Sequence, residues 1–188
     1  MFTLLRGLAD LGDRSAALAP SLLPLAARLC FAAVLLVYFW SSGATKLGTG
    51  ALGFLFPSDG AYVQVFPRLT EAAGYDVSKL GLMQWAVVTA GMWAEFALPL
   101  LIVAGAFTRL AALGMIGFVL VQSLTDIYGH GVSGDDLGRW LDAASGALIL
   151  DQRALWVLLF LVLAALGGGA LSVDRMLRRA VLGREAPG

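Results

Sequence analysis

One carboxylate in this sequence sits far from any other charge. Residues 80–108 contain a single ionised side chain, Glu95, in a run otherwise apolar, hydroxylic or amidic. An acid at the centre of an apolar helix costs about 2.5–3.5 kcal/mol on insertion scales, so it must face a protein interior, protonated or partnered. Steps of one helical turn place Gln84, Val88, Gly91 and Glu95 on a common face. Tyr38, Ser41, Ser42 and Thr45 form a second polar stripe that ends at Lys46, and Gln122, Ser123, Thr125 and Asp126 form a third. If the segments carrying them pack as neighbours, the stripes converge on a polar cavity built from Tyr38, Ser42, Thr45, Lys46, Gln84, Glu95 and Gln122. Such a cavity suits a quinone headgroup or a lipid, or a proton-accepting position beside one. Two other readings stay open: Glu95 hydrogen-bonds neighbouring hydroxyls and fixes helix packing, or it lines an ion path.

The remaining reactive residue types narrow the chemistry. Cys30 is the only cysteine, which excludes an internal disulfide, a Cys-x-x-Cys pair and a thiolate cluster. It is expected to be a small buried packing residue. His130 is the only histidine and stands between Gly129 and Gly131. Asp126, Asp135 and Asp136 are near it in sequence, but the spacing matches no metal-ligand pattern, so a turn is expected there rather than a metal site. Haem ligation is unsupported, no dinucleotide fingerprint occurs, and no cofactor is expected to be covalently bound. Catalysis by this chain alone is not expected.

The elements that must position these residues follow from composition. Of 188 residues, 59% are hydrophobic and 14% charged, against roughly 25% charged in a soluble domain. Thirteen basic and 13 acidic residues balance, which argues against nucleic acid as a partner. Four nearly charge-free stretches predict membrane-spanning helices at about 26–46, 80–106, 109–128 and 154–173, since a span needs about 20 apolar residues. The stretch from Ala154 to Leu166 is apolar all round, unlike a soluble amphipathic helix. The short link Gly105–Thr108 makes spans two and three an antiparallel hairpin. Pro99 predicts a kink one turn after Glu95.

Lys and Arg residues concentrate on the side holding both termini, so both termini are expected in the cytoplasm. Arg28 and Arg109 then mark the inner boundary. Trp40, Trp85, Tyr128 and Trp156 fall at expected outer helix ends, as an interfacial belt requires. Residues 1–21 are expected to lie along the inner surface through Phe2, Leu4, Leu5, Leu8 and Leu11, with Pro20 and Pro24 marking where the first span begins. No cleavable signal sequence is expected there. Outer loops are expected at 47–79 and 129–153. The first begins with an apolar, glycine-rich segment that lies on or dips into the interface, and its remainder forms a small cap. The second offers a short interfacial helix started by Ser133, with Leu137, Trp140, Leu141 and Ala144 on one face. In the tail, 174–188, Ser172 or Asp174 is expected to cap a short helix whose Arg175, Arg178 and Arg179 meet anionic headgroups. The expected fold is therefore all-α: one membrane domain, a four-helix bundle with short interfacial helices and an outer cap.

Ser42-Gly-Ala-Thr-Lys46-Leu47 closing the first span, Glu95 in the second, and Leu98-Pro-Leu-Leu-Ile-Val-Ala-Gly105-Ala-Phe-Thr-Arg109-Leu-Ala-Ala112 across the hairpin resemble the DoxX family. The resemblance implies a small four-helix protein of the bacterial inner (plasma) membrane, associated with redox partners and the quinone pool. It marks Lys46, Glu95 and Arg109 as family-like polar positions. The function it implies is an accessory or partner-binding subunit of a quinone-linked membrane assembly. A small transporter using the same cavity and a purely structural scaffold are the alternatives.

Overall fold

The computed structural model describes residues 2–183 as helices and connecting loops, with no strand among them. Expectations resting on the side chains of Phe2, Leu4, Leu5, Leu8 and Leu11, and on tail residues 184–188, lie outside what is described. The α-helices are α1 (Phe2–Val34), α2 (Leu36–Lys46), α3 (Asp59–Val65), α4 (Pro67–Ala72), α5 (Leu82–Ala104), α6 (Thr108–Leu124), α7 (Arg153–Leu166) and α8 (Val173–Leu182). Single π-helical turns, Thr125–Gly129 and Leu148–Gln152, extend α6 and precede α7.

Four segments are long and apolar enough to cross a membrane: Gly12–Val34, Leu82–Ala104, Thr108–Gly129 and Leu148–Leu166. They form a closed ring in which α1 and α2 lie beside α5 and α7, and α6 closes the far side against both. Phe31, Phe39, Ile102, Met115, Phe160 and Leu163 fill the centre and are fully buried. Phe31, Phe118 and Trp156 surround Phe39, with ring centroids 6.3, 6.0 and 6.1 Å away.

Three boundaries differ from the sequence reading. The first span is not set off at its prolines. α1 runs through Pro20 and Pro24, and Leu35 joins it to α2 because Leu35 N–H still reaches Phe31 O and Phe39 N–H reaches Leu35 O. Its apolar window lies early, at Gly12–Val34, yet the part packed along α5 runs from Arg28 to Lys46, as side-chain bonds to Ile102, Phe96 and Glu95 show. Residues 12–20 are exposed beyond the bundle. The fourth span begins earlier and ends earlier than expected. Asp151 accepts from Ala147 N–H and Arg153 pairs with Asp126, so neither charge excludes its segment from the helix. At the other end Gly167, at φ 81° and ψ −156°, takes a conformation open essentially to glycine alone and stops α7.

The expected helix after Ser133 does not form. Gly134 and Gly138 adopt φ of 64° and 80°, Leu141 adopts 65°, and the segment winds through turns that Trp140 Nε1 pins to Leu150 O. Cys30 is exposed on the outside of the bundle rather than buried. Trp156 likewise turns inward, 5.4 Å from Tyr38, instead of joining an interfacial belt.

The expected cap is built from α3 and α4. Ala61 and Tyr62 bury against Val88 of α5. Burial raises the Tyr62 phenol above its ordinary pKa, and the nearby Asp59 carboxylate raises it further. Between α2 and α3, residues 47–57 make a closed Ω-shaped loop whose ends meet: Ser58 N–H donates to Lys46 O at 3.0 Å. Trp85 and Trp93 of α5 each donate an indole N–H, at 2.9 Å, to the loop carbonyls of Leu55 and Phe54. These bonds lay the loop along the N-terminal half of α5.

Candidate functional site

Glu95 lies roughly 20 Å along α5 from its N-terminus, at 1.5 Å per residue, and is 2% exposed. Lys46 reaches it from the last residue of α2: Nζ is 2.9 Å from Glu95 Oε1. Ser42, one turn before Lys46, completes the cluster. Its hydroxyl accepts from Lys46 Nζ at 2.9 Å and donates to the same Oε1 at 2.8 Å. Lys46 Nζ also reaches Ser42 O at 3.2 Å. One carboxylate oxygen thus takes two bonds, while Glu95 Oε2 is buried with no hydrogen-bond partner among the described residues.

Small residues bring these helices together. A Cβ on Gly43 would stand 2.9 Å from the Phe96 ring and 3.2 Å from Glu95 Cβ, so glycine there permits the close approach. Pro99 lacks the N–H that would bond the Glu95 carbonyl, one turn back in α5. The Ω loop fixes Lys46 from the other side. A Cβ on Gly48 would fall 1.9 Å from Phe56 O, and one on Gly53 2.1 Å from Gly48 O, so both positions require glycine.

The cluster opens on a cavity of about 430 Å³ between α5 and α6. Ser42, Lys46 and Glu95 form its polar wall, and Gln122, Thr125 and Asp126 face them from α6. Gln64 of α3 and His130 close the end beneath the cap, joined by His130 Nε2 and Gln64 O at 3.0 Å. Gly91, Gly114 and Gly117 supply space. Val87, Ala90, Gly117 and Val121 line the cavity and are also exposed on the bundle perimeter, so it opens sideways between two spanning helices.

The structure therefore gathers Ser42, Lys46, Glu95 and Gln122 around one space. Gln122 Nε2 donates to Tyr38 Oη at 3.0 Å, and its Oε1 is buried without a partner among the described residues. Tyr38 thus supports Gln122 from behind. Thr45 Oγ1 donates to Ser42 O and accepts from Gln64 Nε2, tying α2 to the cap. Gln84 is elsewhere: its Oε1 accepts from Gly81 N–H at 3.0 Å and starts α5.

Arg28 is a buried clamp on the helix ends opposite the cap. Nε and Nη2 donate to Ile102 O and Val103 O, carbonyls of the last turn of α5, at 2.9 and 2.6 Å. Nη1 reaches Gly168, Ala170 and Leu171 carbonyls in the turn after α7. Arg109 is exposed at the start of α6. One ion pair, with its arginine buried and its aspartate partly so, escaped the sequence reading. Arg153 donates from Nη2 to Asp126 Oδ2 at 2.6 Å and from Nη1 to Ser123 Oγ at 3.0 Å. Its signal was present: opposite charges at the facing ends of successive spans, each bordering an apolar run.

The family model described as DoxX matches residues 23–125, more than half of the chain. The chain belongs to the DoxX family. The matched region contains Arg28, the Ser42–Lys46–Glu95 cluster and Gln122, and ends before Arg153. No curated protein and no solved structure matches the chain. The DoxX chain is a multi-pass membrane protein in contact with lipid, and its described residues hold no group of three or more His, Cys, Asp or Glu able to share a metal ion.

Proposed function

We propose that this DoxX protein is an accessory, partner-binding subunit of a quinone-linked membrane redox assembly, and that its lateral cavity holds the polar head of a lipophilic molecule such as a quinone or quinol. The observation that carries this reading is Glu95: one oxygen is fixed by Lys46 and Ser42, and the other is buried and unpaired beside a cavity open to the lipid side. A buried unpaired acceptor costs about 1–3 kcal/mol, more for a charged group, which a donor from a ligand would recover. Gln122 Oε1 offers a second such acceptor. Lateral access favours a ligand with an apolar tail over a solute arriving from water. Against a permeation pathway stands the packed inner half of the ring, where Phe31, Ile102, Met115, Phe160 and Leu163 are fully buried.

A partner rather than self-contained catalysis is supported by the outer loop. Trp140 is 66% and Leu141 105% exposed, Leu141 being held out at positive φ. The distribution of Arg and Lys supports an inner-membrane orientation with both termini cytoplasmic. The test is purification of the tagged chain from its own membranes in mild detergent. The reading expects a stoichiometric redox enzyme, with assembly retained and quinone-linked turnover reduced at least tenfold by Glu95→Gln. No redox partner, or unchanged turnover in the assembled variant, would overturn it.

A further inference from the structure

The inner end of the bundle holds a second cavity, of about 580 Å³, with a cationic wall. Arg109 contributes from the start of α6, and Arg175 and Arg178 contribute from α8. The carboxylate among them is already occupied. Asp174 Oδ1 accepts from Phe107 N–H at 2.7 Å, and Oδ2 accepts from Thr108 N–H at 2.9 Å and Thr108 Oγ1 at 2.7 Å. Asp174 therefore caps α6 across the chain, while Ser172 Oγ caps α8 by accepting from Arg175 N–H. Among the described residues none of the three arginines forms an ion pair; Arg175 Nη1 donates to Ser21 Oγ at 3.1 Å. The turn at Gly167–Gly169 leaves this space open, since a Cβ on Gly167 would stand 3.4 Å from Arg109 Nε.

Leu110, Leu166 and Leu177 form the apolar wall of the same cavity. It lies level with the C-terminus of α5 and the N-terminus of α6, the depth at which spans of this length meet lipid headgroups. We propose that this pocket binds the phosphate of an anionic phospholipid from the adjacent leaflet, with acyl carbon against the leucines. Guanidinium groups pair with phosphate oxygens two bonds at a time. A headgroup without an ammonium brings no positive charge against the guanidinium groups, whereas free phosphate would leave the leucine wall unused.

The test measures lipid retained on the full-length chain in detergent, by native mass spectrometry after exposure to phosphatidylglycerol or phosphatidylcholine. The wild type is expected to retain phosphatidylglycerol at least tenfold better than phosphatidylcholine. Arg109→Gln with Arg178→Gln should lower that retention at least tenfold, with helical circular dichroism unchanged. Arg14→Gln with Arg179→Gln removes two exposed charges that do not line the pocket, and should keep retention within twofold. Equal losses in the two double variants, or equal retention of the two lipids, would overturn the site. Displacement by millimolar inorganic phosphate would assign the arginines to a soluble phosphate and overturn the lipid occupant.

Discussion

Lys46 Nζ and Glu95 Oε1 stand 2.9 Å apart, with both side chains almost fully withdrawn from the surface. The two residues come from different spanning segments, so the pair ties α2 to α5 at the point where α2 ends. Removing one partner of a buried pair leaves the other charge uncompensated, typically at about 3–5 kcal/mol, whereas removing both is far milder. This asymmetry separates packing from ligand binding.

Lys46→Met and Glu95→Gln should each destabilise the bundle by about 3 kcal/mol, and the double variant should recover at least about 1 kcal/mol of the summed loss. Denaturant or thermal unfolding in detergent would measure the cycle. Strict additivity would show that the pair is not coupled.

Filling the cavity should remove binding without harming the fold. A Cβ on Gly117 meets nothing within 4 Å, so Gly117→Leu has room to extend into the space beside Glu95. Its stability should stay within about 1 kcal/mol of wild type, while affinity for a short-chain quinol falls at least tenfold. A well-folded variant with full affinity would place the ligand elsewhere.

The Ω loop should tolerate alanine at Gly50 far better than at Gly48 or Gly53. Gly50 has open space around a Cβ and only its positive φ, 75°, to oppose the change, which costs about 1–2 kcal/mol. At Gly48 and Gly53 the added carbon meets backbone at 1.9 and 2.1 Å, so the loop must open. Fluorescence of Trp85 and Trp93, whose indoles bond to that loop, should change for Gly48→Ala and not for Gly50→Ala.

Arg28→Lys should destabilise the protein by about 3 kcal/mol although charge is kept. An ammonium cannot reproduce a planar fork that reaches carbonyls on both α5 and the turn after α7. Unfolding in detergent would show it; a loss below about 0.5 kcal/mol would mean the clamp is dispensable.

Spans two and three were legible because each is a long apolar run with an abrupt polar or glycine boundary: Gly105 stops one helix and Thr108 starts the next. Glu95 was legible because a charge is expensive at that depth, and Lys46 because it closes the neighbouring stripe. Gln84 was misassigned because helical periodicity gives a face but not what covers it. Its face lies near the helix start, where an unpaired N–H draws the side chain back to Gly81. Asp126 was legible as part of the third stripe, but its pairing with Arg153 was not, because the two residues belong to different spans and neither segment alone shows its partner. The turns at Ser133–Leu141 were misread as a helix because the leucine and tryptophan spacing ignored two glycines at positive φ.

The central claim, that Glu95 presents a free oxygen to a lipophilic ligand, is tested most directly by equilibrium binding to the purified chain of a short-chain quinol, whose hydroxyls can donate to that oxygen. Saturable binding to the wild type is predicted, with affinity lowered at least tenfold in both Glu95→Gln and Gly117→Leu. Absence of binding to the wild type, or equal affinity in all three proteins, would contradict it.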